Sequence, residues 1–382
     1  MEIGSVFKGK DSGIVTSMIP LYFRAIRDGA QSGNWKNADE ILVLLKTYQN
    51  KFGGEIIPPD FKIKLEILYN RLNIFDRLGS IYGLIGFILL IFQFISVFLP
   101  KVNLKWIIRF SGAFVVLCFI LHIAGLIVRW YISGHAPWSN AYESLIYIAF
   151  ATVLAGLIFS RKSGFTLSVA ALLAWLILFV AHLNWMDPEI TNLVPVLKSY
   201  WLLIHVAIIT ASYGFLAMGA LLAFINLIMM ISKTEKNLIT TENIISELSI
   251  IIEMTLIIGL YMLAIGTFLG GVWANESWGK YWGWDPKETW ALVSVMVYAF
   301  VAHMRMVPGL KGNYIFNLMA LLSFGSIIMT YFGVNYYLSG LHSYAKGDPA
   351  PVPVFVYYTI AVITIVAIIA WSNNRKFNKS LK

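Results

Sequence analysis

Residues 203–232 read LIHVAIITASYGFLAMGALLAFINLIMMIS, a run without a single Asp, Glu, Lys or Arg. At 1.5 Å of rise per residue, a helix over this run exceeds the roughly 30 Å of hydrocarbon in a bilayer. Apolar stretches of the same kind recur at 78–99, 105–131, 141–160, 165–185, 247–270, 287–306, 314–337 and 353–371. The pattern predicts an all-α fold, a polytopic transmembrane helical bundle of about nine spans over residues 78–382. No internal repeat is evident.

The composition agrees. Of 382 residues, 58% are hydrophobic and only 13% charged, about half the charge of a soluble domain. Mean hydropathy is +0.72. A net charge of +9 would suggest nucleic acid for a soluble protein, but basic residues of membrane proteins gather in cytoplasmic loops, and no nucleic-acid partner is expected. The single cysteine, Cys118, lies in an apolar run and reads as a small packing residue. One cysteine excludes an intrachain disulfide and a CxxC motif.

Residues 1–77 differ: they are polar and mixed in charge. They read as a small helical extracytoplasmic segment with one helix over Asn37 to Gly53, a break at Pro58-Pro59, and a second helix capped by Asp60. Their start, MEIGSVFKGKDSG, lacks the apolar core of a signal peptide.

Orientation follows from the loops. Lys101, Lys105 and Arg109, then Arg161 and Lys162, Lys233 and Lys236, Arg305 and Lys311, and finally Arg375, Lys376, Lys379 and Lys382 share one side. That side is expected to be cytoplasmic. The other side carries the long loops rich in tryptophan and histidine, which places the chemistry outside.

The most unusual of these loops is 273–290, WANESWGKYWGWDPKETW. Trp273, Trp278, Trp282, Trp284 and Trp290 are five of the chain's 13 tryptophans. One or two such residues per helix make an ordinary interfacial belt. Five in one loop with Gly279 and Gly283 between them suit a flat aromatic ligand lying against the backbone. Pro286 fits the first turn of the next helix, with Asp285 near its cap. On the same side, His205 opens one span and His342 precedes the last. Two neutral imidazoles flanking an aromatic cradle are what six-coordinate haem iron requires. His303 lies roughly 22 Å down its helix from Glu288, where an ionisable residue signals function, although a histidine at the interface beside Arg305 is the plainer reading. His135 and His182 read as interfacial, and His122 as a weak ligand candidate.

The run Trp278-Gly-Lys-Tyr-Trp282-Gly-Trp284-Asp285-Pro-Lys-Glu288 resembles the WGxxWxWDxxE signature (the WWD domain) of haem-handling proteins of cytochrome c biogenesis. Also similar are Ser199-Tyr-Trp-Leu with His205, His303 and Arg305 with Gly309-Leu-Lys-Gly312, Gly340-Leu-His342-Ser-Tyr344, and Arg129-Trp with Ser139-Asn-Ala-Tyr-Glu143. The resemblance, over about 110–371, is to the CcsA/ResC branch of system II. The stretch before it resembles the tail of a CcsB-like half in the fused form. It implies that His205 and His342 hold haem b at an external site, that Trp278, Trp282, Trp284 and Asp285 shape that site, and that His303 belongs to an inner haem site. The implied function is haem transport, delivery and presentation for thioether attachment to apocytochrome c CxxCH motifs, as part of a holocytochrome c synthase. Implied partners are apocytochrome c, a CcsB-like subunit or fused half, an extracytoplasmic thiol reductant and membrane lipid. The implied location is a bacterial cytoplasmic membrane or a plastid thylakoid. For the haem carboxylates, Lys198, Lys280, Lys287 and Arg129 are all available. Two rival classes, a b-type electron-transfer subunit and a transporter, would need bis-histidine pairs inside the bundle or broken helices with midplane charges. Neither pattern is evident.

Overall fold

The computed structural model describes residues 12–53, 56–99, 101–183, 186–191, 199–338 and 352–380. Among these residues the regular structure is entirely helical, and nine helices are long and apolar enough to cross a membrane. The expected all-α polytopic bundle is what the sequence forms.

By contacts the chain divides into two compact units, Met1–Leu68 and Tyr69–Lys382. In the first, α1 (Ser12–Ser32) packs on α2 (Lys36–Phe52). Trp35, in the short turn between them, covers Gly29, where a Cβ would stand 2.9 Å from the indole. The helix α1 has no counterpart in the sequence reading. Proline breaks the chain after α2, and α3 (Asp60–Leu72) takes Asp60 as its first helical residue, one position inside the cap expected of it.

The second unit holds α4 (Ile74–Phe98), α5 (Lys105–Ser133), α6 (Ala141–Phe159), α7 (Gly164–Ala181), α8 (Tyr200–Ile231), α9 (Leu238–Trp278), α10 (Pro286–His303), α11 (Asn313–Ile328), α12 (Val334–Tyr337) and α13 (Val354–Ser380). A π-helical turn, Met329–Gly333, joins α11 to α12. Asn73, at φ 42°, separates α3 from α4 in a left-handed conformation that asparagine tolerates.

The helix at the centre is α8, which packs on α6, α7, α9, α11 and α13. Of its apolar stretch 78% is buried, against 6% for α13, so α8 forms the core and α13 lies at the flank. Close approach explains the difference. At Gly214 a Cβ would stand 2.9 Å from the backbone nitrogen of Thr152, so α6 and α8 meet backbone to backbone. A polar knot pins the interior. The Asn226 amide nitrogen lies 3.0 Å from the Ile245 carbonyl, the Ser249 hydroxyl and the Asn317 side-chain oxygen, which links α8, α9 and α11.

One helix is much longer than its hydropathy. The apolar run covers 247–270, whereas α9 spans 41 residues, about 62 Å at helical rise. At the end away from the tryptophans, Lys233 is buried between Glu242 (2.5 Å) and Asn374 (2.6 Å). Asn373 donates to the Met230 and Ile231 carbonyls, both at 3.0 Å, and so caps α8. At the same end Arg305 pairs with Glu253 at 2.7 Å.

Candidate functional site

The tryptophan loop is built by the way α9 stops and α10 starts. Gly279, at φ 71°, ends α9 in the left-handed region, its N–H donating to the Asn275 carbonyl. Asp285 then caps α10 and Pro286 takes the first helical turn. The Asp285 carboxylate accepts the Lys287 backbone N–H at 2.9 Å. Glu288 reaches back to the N–H groups of Gly283 (2.7 Å) and Asp285 (3.3 Å). This capping box fixes the loop by its own backbone, so Asp285 and Glu288 position the tryptophans between them. Trp284 itself sits at φ 55°, a left-handed conformation costly for a bulky side chain. The residue is 70% exposed, so the strain is held by the loop rather than by burial of the side chain. Trp282 and Trp284 meet edge to face at 5.9 Å, and Trp273 and Trp278 at 4.8 Å. Tryptophan faces of both orientations therefore line this end of the bundle.

His205 stands one turn inside α8, beside Trp273, with ring planes 11° apart and centroids at 6.4 Å. Two glycines of α9 make its seat. Its Nδ1–H donates to the Gly266 carbonyl at 2.6 Å, and at Gly270 a Cβ would lie 2.6 Å from its Cε1. A backbone carbonyl can only accept, so Nδ1 carries a proton and is the donor of this bond. The spacing Gly266-x-x-x-Gly270 was readable as a close-packing signal; that it seats a histidine was not.

A second buried construction braces the same end. Arg129 and Glu143 are fully buried and paired at 2.8 Å. Arg129 also donates to the Tyr69 hydroxyl (3.3 Å), the Pro188 carbonyl (3.0 Å) and the Glu189 carbonyl (3.3 Å). Glu143 accepts the Ser139 N–H at 2.9 Å, and Asn140 caps α6. Arg129 is thus committed to a latch that ties Tyr69, α5, α6 and the segment after α7. Trp138 donates to the Leu203 carbonyl at 3.1 Å and so ties the same loop to the start of α8.

The other histidines separate clearly. His342 lies outside the described residues, as do Lys198 and Tyr344. His303 is the last residue of α10 and is exposed; its Nδ1 bonds the Ala299 carbonyl at 2.8 Å. It is far along α10 from the tryptophans. His122 is fully buried, bonded through Nε2 to the Ile146 carbonyl at 3.0 Å and crowded by Phe75, Tyr82 and Phe150. It is enclosed as a core histidine. His135 bonds the Ala136 and Thr191 carbonyls, and His182 faces Asp76 at 3.6 Å. Both hold loops together.

A helical bundle of membrane-spanning length, with a cluster of tryptophans and a seated imidazole at one end, defines a polytopic membrane protein. Residues 138–342 match the family model described as Cytochrome C assembly protein, and the chain belongs to that family. It is 46% identical over 334 residues to Protein NrfI of Wolinella succinogenes, covering 85% of this chain. It spans only 36% of NrfI's length. To the cytochrome c biogenesis protein CcsA of Prochlorococcus marinus subsp. pastoris it is 35% identical over 295 residues, 69% of this chain and 94% of that one. A solved structure titled Cytochrome c Heme Lyase CcmF shares the fold, with a TM-score of 0.52 and 15% identity over 80% of this chain and 50% of that one. The chain is a CcsA-type cytochrome c biogenesis protein.

Proposed function

We propose that this protein holds haem b at its tryptophan-loop end, on the extracytoplasmic face, and presents it to the CxxCH segment of apocytochrome c. The observation that carries the reading is the seat of His205. With its Nδ1–H held by the Gly266 carbonyl, the ring is oriented so that its neutral form would offer Nε2 to haem iron. His342, which the family motif pairs with it, supplies the second imidazole. Trp278, Trp282 and Trp284 provide ring faces for the macrocycle, and Asp285 holds them through the α10 cap. Each thioether forms by addition of a cysteine S–H across a vinyl C=C, sulfur to one carbon and hydrogen to the other. No net oxidant is consumed, so the protein's share is to orient the macrocycle and exclude water.

His303 supports an inner stage. It is exposed on the flank of α10, where its second ligand comes from a CcsB-like subunit or fused half. The greater length of NrfI leaves room for such a half. Basic residues concentrate at the end away from the tryptophans, which supports placing that end in the cytoplasm of a bacterial inner membrane. A thiol reductant is needed outside to keep the CxxCH cysteines as thiols.

The test is cytochrome c yield by haem stain in cells co-expressing an apocytochrome and a CcsB-like partner. His205→Gly and His342→Gly each abolish yield, and added imidazole partly restores it by filling the vacated position. His135→Gly and His182→Gly show no imidazole response. Wild-type yield and an unchanged low-spin spectrum in both external variants would refute the assignment.

A further inference from the structure

Four cations on the tryptophan-loop side were candidates to meet an anion, and the structure separates them. Arg129 is spent on Glu143, Tyr69 and two backbone carbonyls. Lys280 is exposed and lies over Gly283. Lys198 lies outside the described residues. Lys287 alone among the described three is both half-buried and held. Its ammonium donates to the Asn335 side-chain oxygen at 3.1 Å. Asn335 in turn donates to the Tyr331 carbonyl at 2.6 Å, which fixes the amide so that its oxygen faces the lysine.

The support beneath this pair is unusual. Tyr331 belongs to the π-helical turn Met329–Gly333, which inserts an extra residue and re-aims Asn335. The same turn is tied to α10 just below Lys287. Thr330 donates to the Trp290 carbonyl at 3.1 Å and shares a 3.0 Å contact with Ser294. Of the nearby carboxylates, Asp285 accepts the Lys287 backbone N–H and acts on the ammonium through space without pairing with it, and Glu288 is bonded to Gly283 and Asp285. Among the described residues no carboxylate stands within ion-pair distance of the Lys287 ammonium. With a neutral amide as its hydrogen-bond partner among the described residues, this half-buried ammonium has two further N–H groups suited to a charged acceptor.

We propose that Lys287, presented by Asn335, is the anion-binding group of this rim and takes a carboxylate of the haem, which fixes the in-plane rotation of the macrocycle. This rests on the reading of the rim as a haem site. A lipid phosphate is the other anion that could reach the same ammonium, and the experiment separates the two.

The full chain, purified in a neutral detergent, is titrated with haem and with haem dimethyl ester, whose carboxylates are blocked, and binding is read from the Soret band. The wild type binds the free acid about ten- to a hundredfold more tightly than the ester, as a hydrogen bond to a charged group implies. Lys287→Met abolishes that preference and leaves ester affinity unchanged, Lys287→Arg keeps most of it, and Asn335→Leu weakens it. A wild-type preference retained in Lys287→Met overturns the proposal. So does loss of bound phosphatidylglycerol in Lys287→Met with the acid-to-ester ratio intact, which would assign the lysine to lipid. If Lys287→Met loses both ligands it has misfolded, and Asn335→Leu decides, an unchanged preference there refuting the proposal. No Soret shift for either macrocycle with the wild type would remove the haem reading itself, an outcome distinct from the others.

Discussion

Gly270→Ala tests the seat of His205 with a single carbon. The added Cβ would stand 2.6 Å from Cε1, 2.8 Å from Nδ1 and 3.1 Å from Nε2 of His205, whereas ordinary contact begins at 3.4 Å. The ring must retreat by the difference between 3.4 and 2.6 Å, about 0.8 Å. It cannot do so while keeping its 2.6 Å bond to the Gly266 carbonyl, one turn away on the same helix. Losing that bond costs about 1 kcal/mol and releases the choice of tautomer. A misplacement of this size at a positioned group costs up to about a hundredfold in rate. The fold should not suffer, because alanine is the better helix former by about 1 kcal/mol. The expected result is a roughly ten- to hundredfold fall in haem-stained cytochrome, with normal membrane levels and partial recovery on adding imidazole. Thr267→Ala, which removes only a bond to the Leu263 carbonyl of its own helix, is the control and should be silent. Wild-type yield and spectrum in Gly270→Ala would show that the glycine seat does not govern the ligand.

Three further outcomes are expected. Arg129→Met leaves the buried Glu143 charge without its partner and should destabilise the protein by about 3–5 kcal/mol; pairing it with Glu143→Gln should recover part of the loss in a thermal or denaturant assay of the membrane-extracted protein. Replacing Trp278, Trp282, Trp284 and Trp290 together by alanine should strip haem while the protein stays in the membrane, each indole contributing roughly 1–3 kcal/mol of stacking and burial; full haem content would return the loop to an interfacial belt. Reporter fusions after Lys382 should be active only as cytoplasmic reporters, and fusions within 343–350 only as extracytoplasmic ones, the reverse pattern overturning the orientation.

The spans were legible because hydrocarbon allows the backbone few alternatives: a run such as 203–232 must be helical, and it is. Hydropathy reports where a helix meets lipid, though, not where it ends. That is why α9 continues on both sides of 247–270, through residues such as Thr241 and Glu276 that lie outside the apolar window. The helix α1 was missed because its residues mix charge with apolar side chains that remain exposed, among them Leu21 and Phe23. At the site, the tryptophan cluster and the cap at Asp285 were readable from local spacing. Which cation is committed and which is presented was not. Arg129 and Lys287 look alike in sequence, and only the helices facing them, with Glu143 in one case and Asn335 in the other, tell them apart.

The length of α9 has a mechanical corollary. It is one unbroken rod, gripped by Arg305 at Glu253 and carrying the His205 seat at Gly270. Those two points are about 25 Å apart along the axis. Pivoting the rod at the grip by about 2° would sweep the seat sideways by about 0.9 Å. Arg305 is two residues beyond His303 in the chain. A small tilt at the Arg305–Glu253 end would therefore be carried to the His205 end along one continuous helix, with no loop in between to absorb it.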